Sequence, residues 1–289
     1  MGVYPVVLSQ AKFVHRDSLK YPFEERGLQF GDGIYEVIRI YRGNYYLLTE
    51  HVERLFRSAK AIKLELPYTK TELTELLNGL IKRNQMTEDG KVYLQATRGS
   101  APRDHVFPEN LTANVYAYIS KQARPLNQLE HGVCTITERD IRWEKCYIKS
   151  LNLLPNILAK QTAKEKECYE AILHKDGLVT ECSSSNVYLV KDGHIYTHPV
   201  TENILHGCVR MAVERFSEKL NIPFIEEAFT LEDIKSADEL FLTSSTSEVL
   251  PIVKVDGAPV ADGKPGPISK KLQAAYEQDA SIQTETVKQ

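Results

Sequence analysis

Four groups of residues in this 289-residue chain have the types and spacing to do chemistry. Lys149, in CYIKSLNLLPN, stands between a short apolar run and the start of a helical pattern. A lysine held partly out of water shifts its pKa downward and can condense with an aldehyde as a Schiff base; the plain alternative is a strand-end lysine with its ammonium in solvent. Glu181, in LVTECSSSNVYLV, is an acid inside a β-rich hairpin beside three serines. If buried, it needs a cationic partner, and a protonated ring nitrogen would supply one; at an open strand end it would simply face water. Arg54, Gly207 and the hydroxyl run from Thr243 to Ser247 form an anion-binding set, because a helix N-terminus, an arginine and hydroxyls together hold a phosphate. Taken singly, Arg54 lies off the apolar stripe of its helix and reads as solvated, and the hydroxyl run reads as a loop. Arg103 and His105, in the Pro-bounded segment RGSAPRDHVFPEN, could grip a carboxylate, the guanidinium with two hydrogen bonds and the imidazole with a third. Tyr35 could add a hydroxyl. The competing readings are a polar loop tip and a cross-strand aromatic pair.

Other chemistry is poorly served. The block GLQFGDG, Gly27 to Gly33, has the wrong glycine spacing for a dinucleotide fingerprint or a P-loop and is followed by a strand pattern, so it reads as a turn. The eight histidines form no metal-ligand cluster and no Ser-His-Asp order, and the five cysteines are scattered without a C-x-x-C pair. A net charge of −3 provides no global field for nucleic acid or anionic lipid. No apolar run spans a bilayer and the first residues do not read as a secretory leader, so a cytoplasmic protein with no nucleic-acid or membrane partner is expected.

The elements that must position these residues follow from periodicity and turn chemistry. Ile34 to Tyr41 reads as a strand turning at Gly43-Asn44, and Thr49 as the start of a helix with Val52, Leu55, Phe56, Ala59 and Ile62 on one face. Thr69-x-x-Glu72 is a capping box opening a second helix. Strands are expected at Val92 to Thr97 and Val115 to Ile119, and the polar segment Lys121 to Gln128, interrupted by Pro125, reads as a domain boundary. Beyond it come a strand from Val133 to Thr137 and a helix from Leu153 to Lys166. Hairpins turn at Asp176-Gly177 and Asp192-Gly193, and a helix runs from Gly207 to Leu220. A short helix after Thr230, a strand from Glu239 to Thr243 and a last helix from Ile268 to Tyr276 with a polar tail complete an α+β chain.

Taken together, these blocks resemble the fold-type IV pyridoxal-phosphate enzymes, which include D-amino acid aminotransferases, branched-chain aminotransferases and aminodeoxychorismate lyases. ECSSSNVY from Glu181, IYT from Ile195 and LHGCVR from Leu205 to Arg210 match the family signature, and matching blocks run in order from GLQFGDGIYEV to SSTSE. The resemblance implies a two-domain α+β architecture: a smaller N-terminal α/β domain, residues 1–123, and a larger, β-barrel-like C-terminal domain with helices, residues 124–289, with pyridoxal 5′-phosphate at the domain interface. It implies that Lys149 carries the cofactor, that Glu181 pairs with the pyridine nitrogen and that Leu205 packs on the ring. Arg54, Ser244, Ser245 and the amides of Cys208 and Val209 would hold the phosphate. PRDH, GIYEV, IKSLNLL and CYEAILH most resemble the D-amino acid aminotransferases, whose ping-pong reaction exchanges an amino group between a D-amino acid of the alanine or glutamate class and a 2-oxo acid such as pyruvate or 2-oxoglutarate. In that branch Tyr35, Arg103 and His105 would trap the substrate carboxylate, with the loop pair reaching in from the neighbouring subunit of a homodimer. Val209, Ser245 and Cys182 depart from the residues usual at their positions, which bears on cofactor affinity. A branched-chain L-aminotransferase is the runner-up, followed by an aminodeoxychorismate lyase and a non-catalytic cofactor-binding protein.

Overall fold

A computed structural model of the chain describes residues 2–286, which form two compact units. The first is built on residues up to Ala123 together with Ile148–Asn152, the second on Arg124–Tyr147 and Leu153–Ile282.

The first unit holds β1 (Val6–Ser9), β2 (Lys12–His15), α1 (Arg26–Phe30), β3 (Gly33–Tyr41), β4 (Asn44–Tyr45), α2 (Leu48–Ala61), α3 (Lys70–Arg83), β5 (Gly90–Thr97) and β6 (Asn114–Lys121). Its strands make one antiparallel sheet in the order β2-β1-β6-β5-β3-β4. Period-two alternation sends Ile34, Ile38 and Ile40 of β3, with Val92, Leu94 and Ala96 of β5, into a core that Val52, Leu55 and Ala59 of α2 and Leu73, Leu77 and Leu80 of α3 also enter. The expected capping box is present: the Thr69 hydroxyl accepts from the Glu72 amide at 3.2 Å while the Glu72 carboxylate accepts from the Thr69 amide at 2.8 Å. Helix α2, by contrast, is not capped by Thr49; it starts one residue earlier, behind Leu47 in the left-handed region at φ 56°. The block expected as a plain turn is also partly helical. Gly27 to Phe30 lie in α1, whose N-terminus is capped by the Glu25 carboxylate (3.0 Å from the Leu28 amide) and whose end is Gly31 at φ 67°.

The second unit holds α4 (Leu126–His131), β7 (Val133–Arg139), α5 (Leu154–Glu165), β8 (Glu170–Lys175), β9 (Leu178–Cys182), β10 (Asn186–Lys191), β11 (His194–Thr197), α6 (Cys208–Lys219), β12 (Phe224–Glu226), α7 (Leu231–Lys235), β13 (Glu239–Ser244), β14 (Glu248–Val255), β15 (Ala258–Pro259) and, as far as Ile282, α8 (Pro267–Thr286). The sheet runs β12-β11-β10-β13-β14-β7-β8-β9, with β15 on β14. Both Asp-Gly hairpins form with positive φ at each turn residue, the geometry whose twist suits adjacent strands. Two parallel crossovers, β7–α5–β8 and β11–α6–β12, are set into the otherwise mostly antiparallel sheet, so the chain is α+β as expected. The Ser/Thr run is the turn of the β13–β14 hairpin, with Ser244 paired to Glu248. Helix α8 continues past the expected end at Tyr276 to Thr286, and residues 287–289 of the expected tail lie outside the described residues.

Candidate active site

In the first unit the site begins with an anomaly on β3. Glu36 lies in the core-facing row between Ile34 and Ile38 and is fully buried. An isolated carboxylate there would be prohibitively desolvated, and α2 supplies its partners. Arg54 donates from Nε to Oε1 at 2.8 Å and from Nη2 to Oε2 at 2.7 Å, and His51 Nδ1 lies 2.7 Å from Oε2. Burial alone would push the Glu36 carboxyl up; Arg54 and His51 outweigh it and hold the group down at about 2. Arg54 is therefore a buried residue, not the solvated arginine that its helix's apolar stripe suggested, because its partner stands across the core on another element.

Lys149 is held on both sides through its main chain. Its carbonyl accepts from the Tyr35 amide at 3.0 Å, Leu151 donates to the Gly33 carbonyl at 3.0 Å, and the Lys149 amide donates to the Ser58 hydroxyl of α2 at 3.2 Å. Residues 148–152 thus add a short antiparallel edge to the start of β3, with Ile34 bridged to Ser150. A side chain at Gly33 would run into the Ala96 carbonyl and Leu151, which is why the strand begins on glycine. The half-buried Lys149 amine donates to the Tyr35 hydroxyl at 3.4 Å and lies 4.4 Å from the centre of that ring. Arg54 is one helical turn before Ser58, on the same face of α2. Arg103 and His105 are exposed on the β5–β6 connection and, among the described residues, make no hydrogen bond with Lys149 or Tyr35.

In the second unit, Glu181 near the end of β9 is 5% exposed. Its carboxylate accepts from Arg142 Nη1, from Asn186 Nδ2 at 3.1 Å and from the Leu205 amide at 3.1 Å. Arg142 is itself held by Asp140, through Nε at 2.9 Å and Nη2 at 2.8 Å. Burial raises the Glu181 carboxyl above its usual range despite Arg142. At Asp140 the same penalty is overcome by the Arg142 hydrogen bonds and charge, and that carboxyl is lowered. Asn186 joins the parts: its Nδ2 reaches both Glu181 and, at 2.8 Å, the Leu205 carbonyl, and its Oδ1 stands where a side chain at Gly207 would have to go. Gly207 is the N-cap of α6 and makes no side-chain cap, while Cys208 and Val209 in the first turn are buried. Thr243 pairs with Asn186 across β13 and β10, which brings Ser244 to the same end of the sheet. The Ser244 hydroxyl accepts from the Ser247 amide at 3.0 Å. The structure thus gathers Glu181, Leu205, Cys208 and Ser244 around Asn186 within this unit, and Lys149, Tyr35 and Arg54 around β3 and α2 within the other. Glu36, Arg142 and Asn186 were missed from sequence; Glu36 alone had a signal, as an acid in an apolar alternating row.

The chain is similar to known proteins over nearly its whole length. The profile of the amino-transferase class IV family matches residues 33–255. A D-alanine aminotransferase of Staphylococcus aureus is 47% identical over 272 residues, covering 94% of this chain and 96% of its own. One of Bacillus licheniformis is 46% identical over 282 residues, covering 98% and 99%. Among solved structures, a branched-chain aminotransferase of the archaeon Thermoproteus uzoniensis with norvaline superposes with a TM-score of 0.88 at 29% identity, covering 96% of this chain and 94% of that one. With both its length and its order of blocks accounted for by that family, the chain belongs to the class IV aminotransferases.

Proposed function

We propose that the protein transfers the amino group of a D-amino acid of the alanine or glutamate class to a 2-oxo acid, with pyridoxal 5′-phosphate as cofactor and by a ping-pong mechanism. The observation that carries this reading is the Lys149 amine held beside Tyr35 in a chain 47% identical to D-alanine aminotransferases over 94% of its length. Several features suit the cofactor. Ser183, two residues past Glu181, has a buried hydroxyl with no partner among the described residues; the first turn of α6 is buried without a side-chain cap; and Glu181 is a desolvated carboxylate awaiting a further cation. Arg54, Ser244, Ser245 and the amides of Cys208 and Val209 would hold the phosphate, Glu181 the ring nitrogen and Leu205 the ring face, with Lys149 as the point of attachment.

When bound, pyridoxal phosphate supplies an aldehyde for the amino group and a protonated ring that draws electrons from the substrate's α-carbon. The protein's own part is positional and acid–base. Lys149 Nζ would take the α-proton and deliver it to the other carbon bonded to the amine nitrogen, and the Tyr35 hydroxyl at 3.4 Å orients that lysine amine. Glu181, whose charged form Arg142 favours against burial, would hold the proton on the ring nitrogen. Arg103 and His105 grip the substrate carboxylate with Tyr35; since one lysine moves protons from one side, the place of that grip selects the enantiomer. Both loop residues are exposed in the single chain, which favours a homodimer in which each subunit lends the pair to its neighbour. The five cysteines are all free, in keeping with a reducing cytoplasm, and among the described residues no helix is long and apolar enough to cross a membrane. The test is direct: purified protein with the cofactor, D-alanine and 2-oxoglutarate should form pyruvate, and L-leucine should be a poor donor. Turnover of L-leucine with none of D-alanine would overturn the proposal.

A further inference from the structure

The loop bearing Arg103 and His105 stands on a platform with its own internal logic. Arg26 is 2% exposed and Arg98 6% exposed, and Asp32 ties the two together. Its Oδ2 accepts from Arg26 Nε at 2.8 Å and Arg98 Nε at 2.9 Å, and its Oδ1 from Arg98 Nη2 at 3.0 Å. Arg98 continues to the carbonyls of Lys63 and Ile62, at 2.9 and 2.8 Å, which anchors the cluster just past the end of α2. From this fixed position Arg26 Nη1 donates at 2.6 Å to the carbonyl of Asp104, the residue between Arg103 and His105. The base of the loop is tied as well: the Arg26 amide donates to the Gly99 carbonyl at 2.9 Å and the Ala101 amide to the Glu24 carbonyl at 3.2 Å.

The side chains above converge on one ring. Phe30, four residues after Arg26 in α1, has its ring centre 4.8 Å from the Arg26 guanidinium carbon and 4.7 Å from that of Arg103, and the His105 ring lies 5.5 Å away. Two exposed side chains on a loop would ordinarily sample many rotamers, and fixing each on binding costs about 0.5–1.5 kcal/mol. Here both rest on the same aromatic surface, and that surface rests on a buried arginine that Asp32 holds through an ion pair.

We infer that Phe30, Arg26 and Asp32 are positioning residues for recognition of the substrate carboxylate: the stacked Arg26–Phe30 pair, locked by Asp32, sets the spacing and direction of the Arg103 guanidinium and the His105 ring. This rests on the reading of Arg103 and His105 as the carboxylate grip. The platform governs substrate capture, not proton transfer at Lys149, so its loss falls on KM.

Two variants test it in the holoenzyme. Phe30→Leu keeps an apolar side chain but removes the ring; Arg26→Lys keeps a charge for Asp32 but loses the planar stack and the fork that reaches Asp104. Each is expected to raise KM for D-alanine about tenfold, with kcat within about threefold and the cofactor's visible absorption unchanged. The inhibition constant of propionate, a carboxylate without the amine, should rise in parallel. The slow single-turnover reaction of ethylamine, an amine without the carboxylate, should stay as in the parent. A role confined to stability would instead lower melting temperature, cofactor absorption and both amine reactions together, and that result would overturn the inference. Arg103→Leu is measured alongside. If it raises KM while neither platform variant does, the platform is refuted and the carboxylate grip stands; if it leaves KM for D-alanine unchanged, the grip itself is refuted and the platform with it.

Discussion

Burial raises the carboxyl pKa of Glu181 even though the Arg142 guanidinium pulls it down, so the fold does not fully compensate the charge of its ionised form. The sign follows: a carboxyl more proton-avid in the folded than in the unfolded chain costs stability when ionised, and the cost disappears as pH falls below its folded pKa. A protonated pyridine nitrogen beside it would be a second cation and would relieve that cost. Glu181→Gln is therefore expected to leave the melting temperature of the cofactor-free protein unchanged or higher, because Arg142 keeps its two bonds to Asp140. The same change should lower kcat on D-alanine by about a hundredfold, since an amide cannot hold the ring proton. Calorimetry of the cofactor-free protein with steady-state kinetics of the holoenzyme checks both; a large stability loss with little loss of rate would make Glu181 structural only.

At the scale of elements, the first turn of α6 depends on a glycine. A side chain at Gly207 would collide with Asn186 Oδ1, and the Nδ2 of that same Asn186 holds Glu181 and the Leu205 carbonyl. Overpacking of this kind costs about 1–3 kcal/mol and moves the neighbours. Gly207→Ala should thus weaken cofactor binding by tenfold or more, read as the concentration needed to restore absorbance to stripped protein. A conformational explanation does not serve, because Gly207 has φ −69°, open to any residue. The capping box of α3 offers the contrast. Thr69→Ala removes the acceptor for the Glu72 amide and should cost about 1 kcal/mol in urea unfolding. It should leave KM and kcat unaltered, since Thr69 and Glu72 hold each other and, among the described residues, no hydrogen bond links them to the site residues; a kinetic change would contradict this separation.

For the molecule as a whole, the Glu36–Arg54–His51 group is a lever on acid stability. With its carboxyl held from 4.5 down to about 2, Glu36 contributes stability that is fully present above pH 4.5 and is lost as pH falls through 2. A shift of that size corresponds to about 3 kcal/mol. Glu36→Gln should remove this part of the pH dependence, flattening the melting temperature between pH 4.5 and 2. It should also lower stability at neutral pH, because the buried Arg54 would lose the carboxylate that it holds with two hydrogen bonds. Thermal melts of both proteins across that range provide the measurement; parallel curves would show that Glu36 is not the titrating group.

Much of the fold is written locally. The alternation of β3 and β5, the Thr69–Glu72 box and the two Asp-Gly turns each depend on residues a few positions apart, and all appear where those residues stand. The order of the blocks around Lys149, Glu181 and Leu205 was likewise enough to identify the family. What sequence alone left undecided is which charges are buried and with whom. Arg54 meets Glu36 across 18 positions, Arg142 meets Glu181 across 39, Arg26 reaches Asp104 across 78, and Lys149 meets Tyr35 across 114. Such pairs leave no periodicity, and each member looks misplaced by itself: an acid in an apolar row, an arginine off a helix stripe. Only the folded chain supplies the opposite charge, and the desolvation that makes an unpaired buried ion so costly is the force that makes the partnership obligatory.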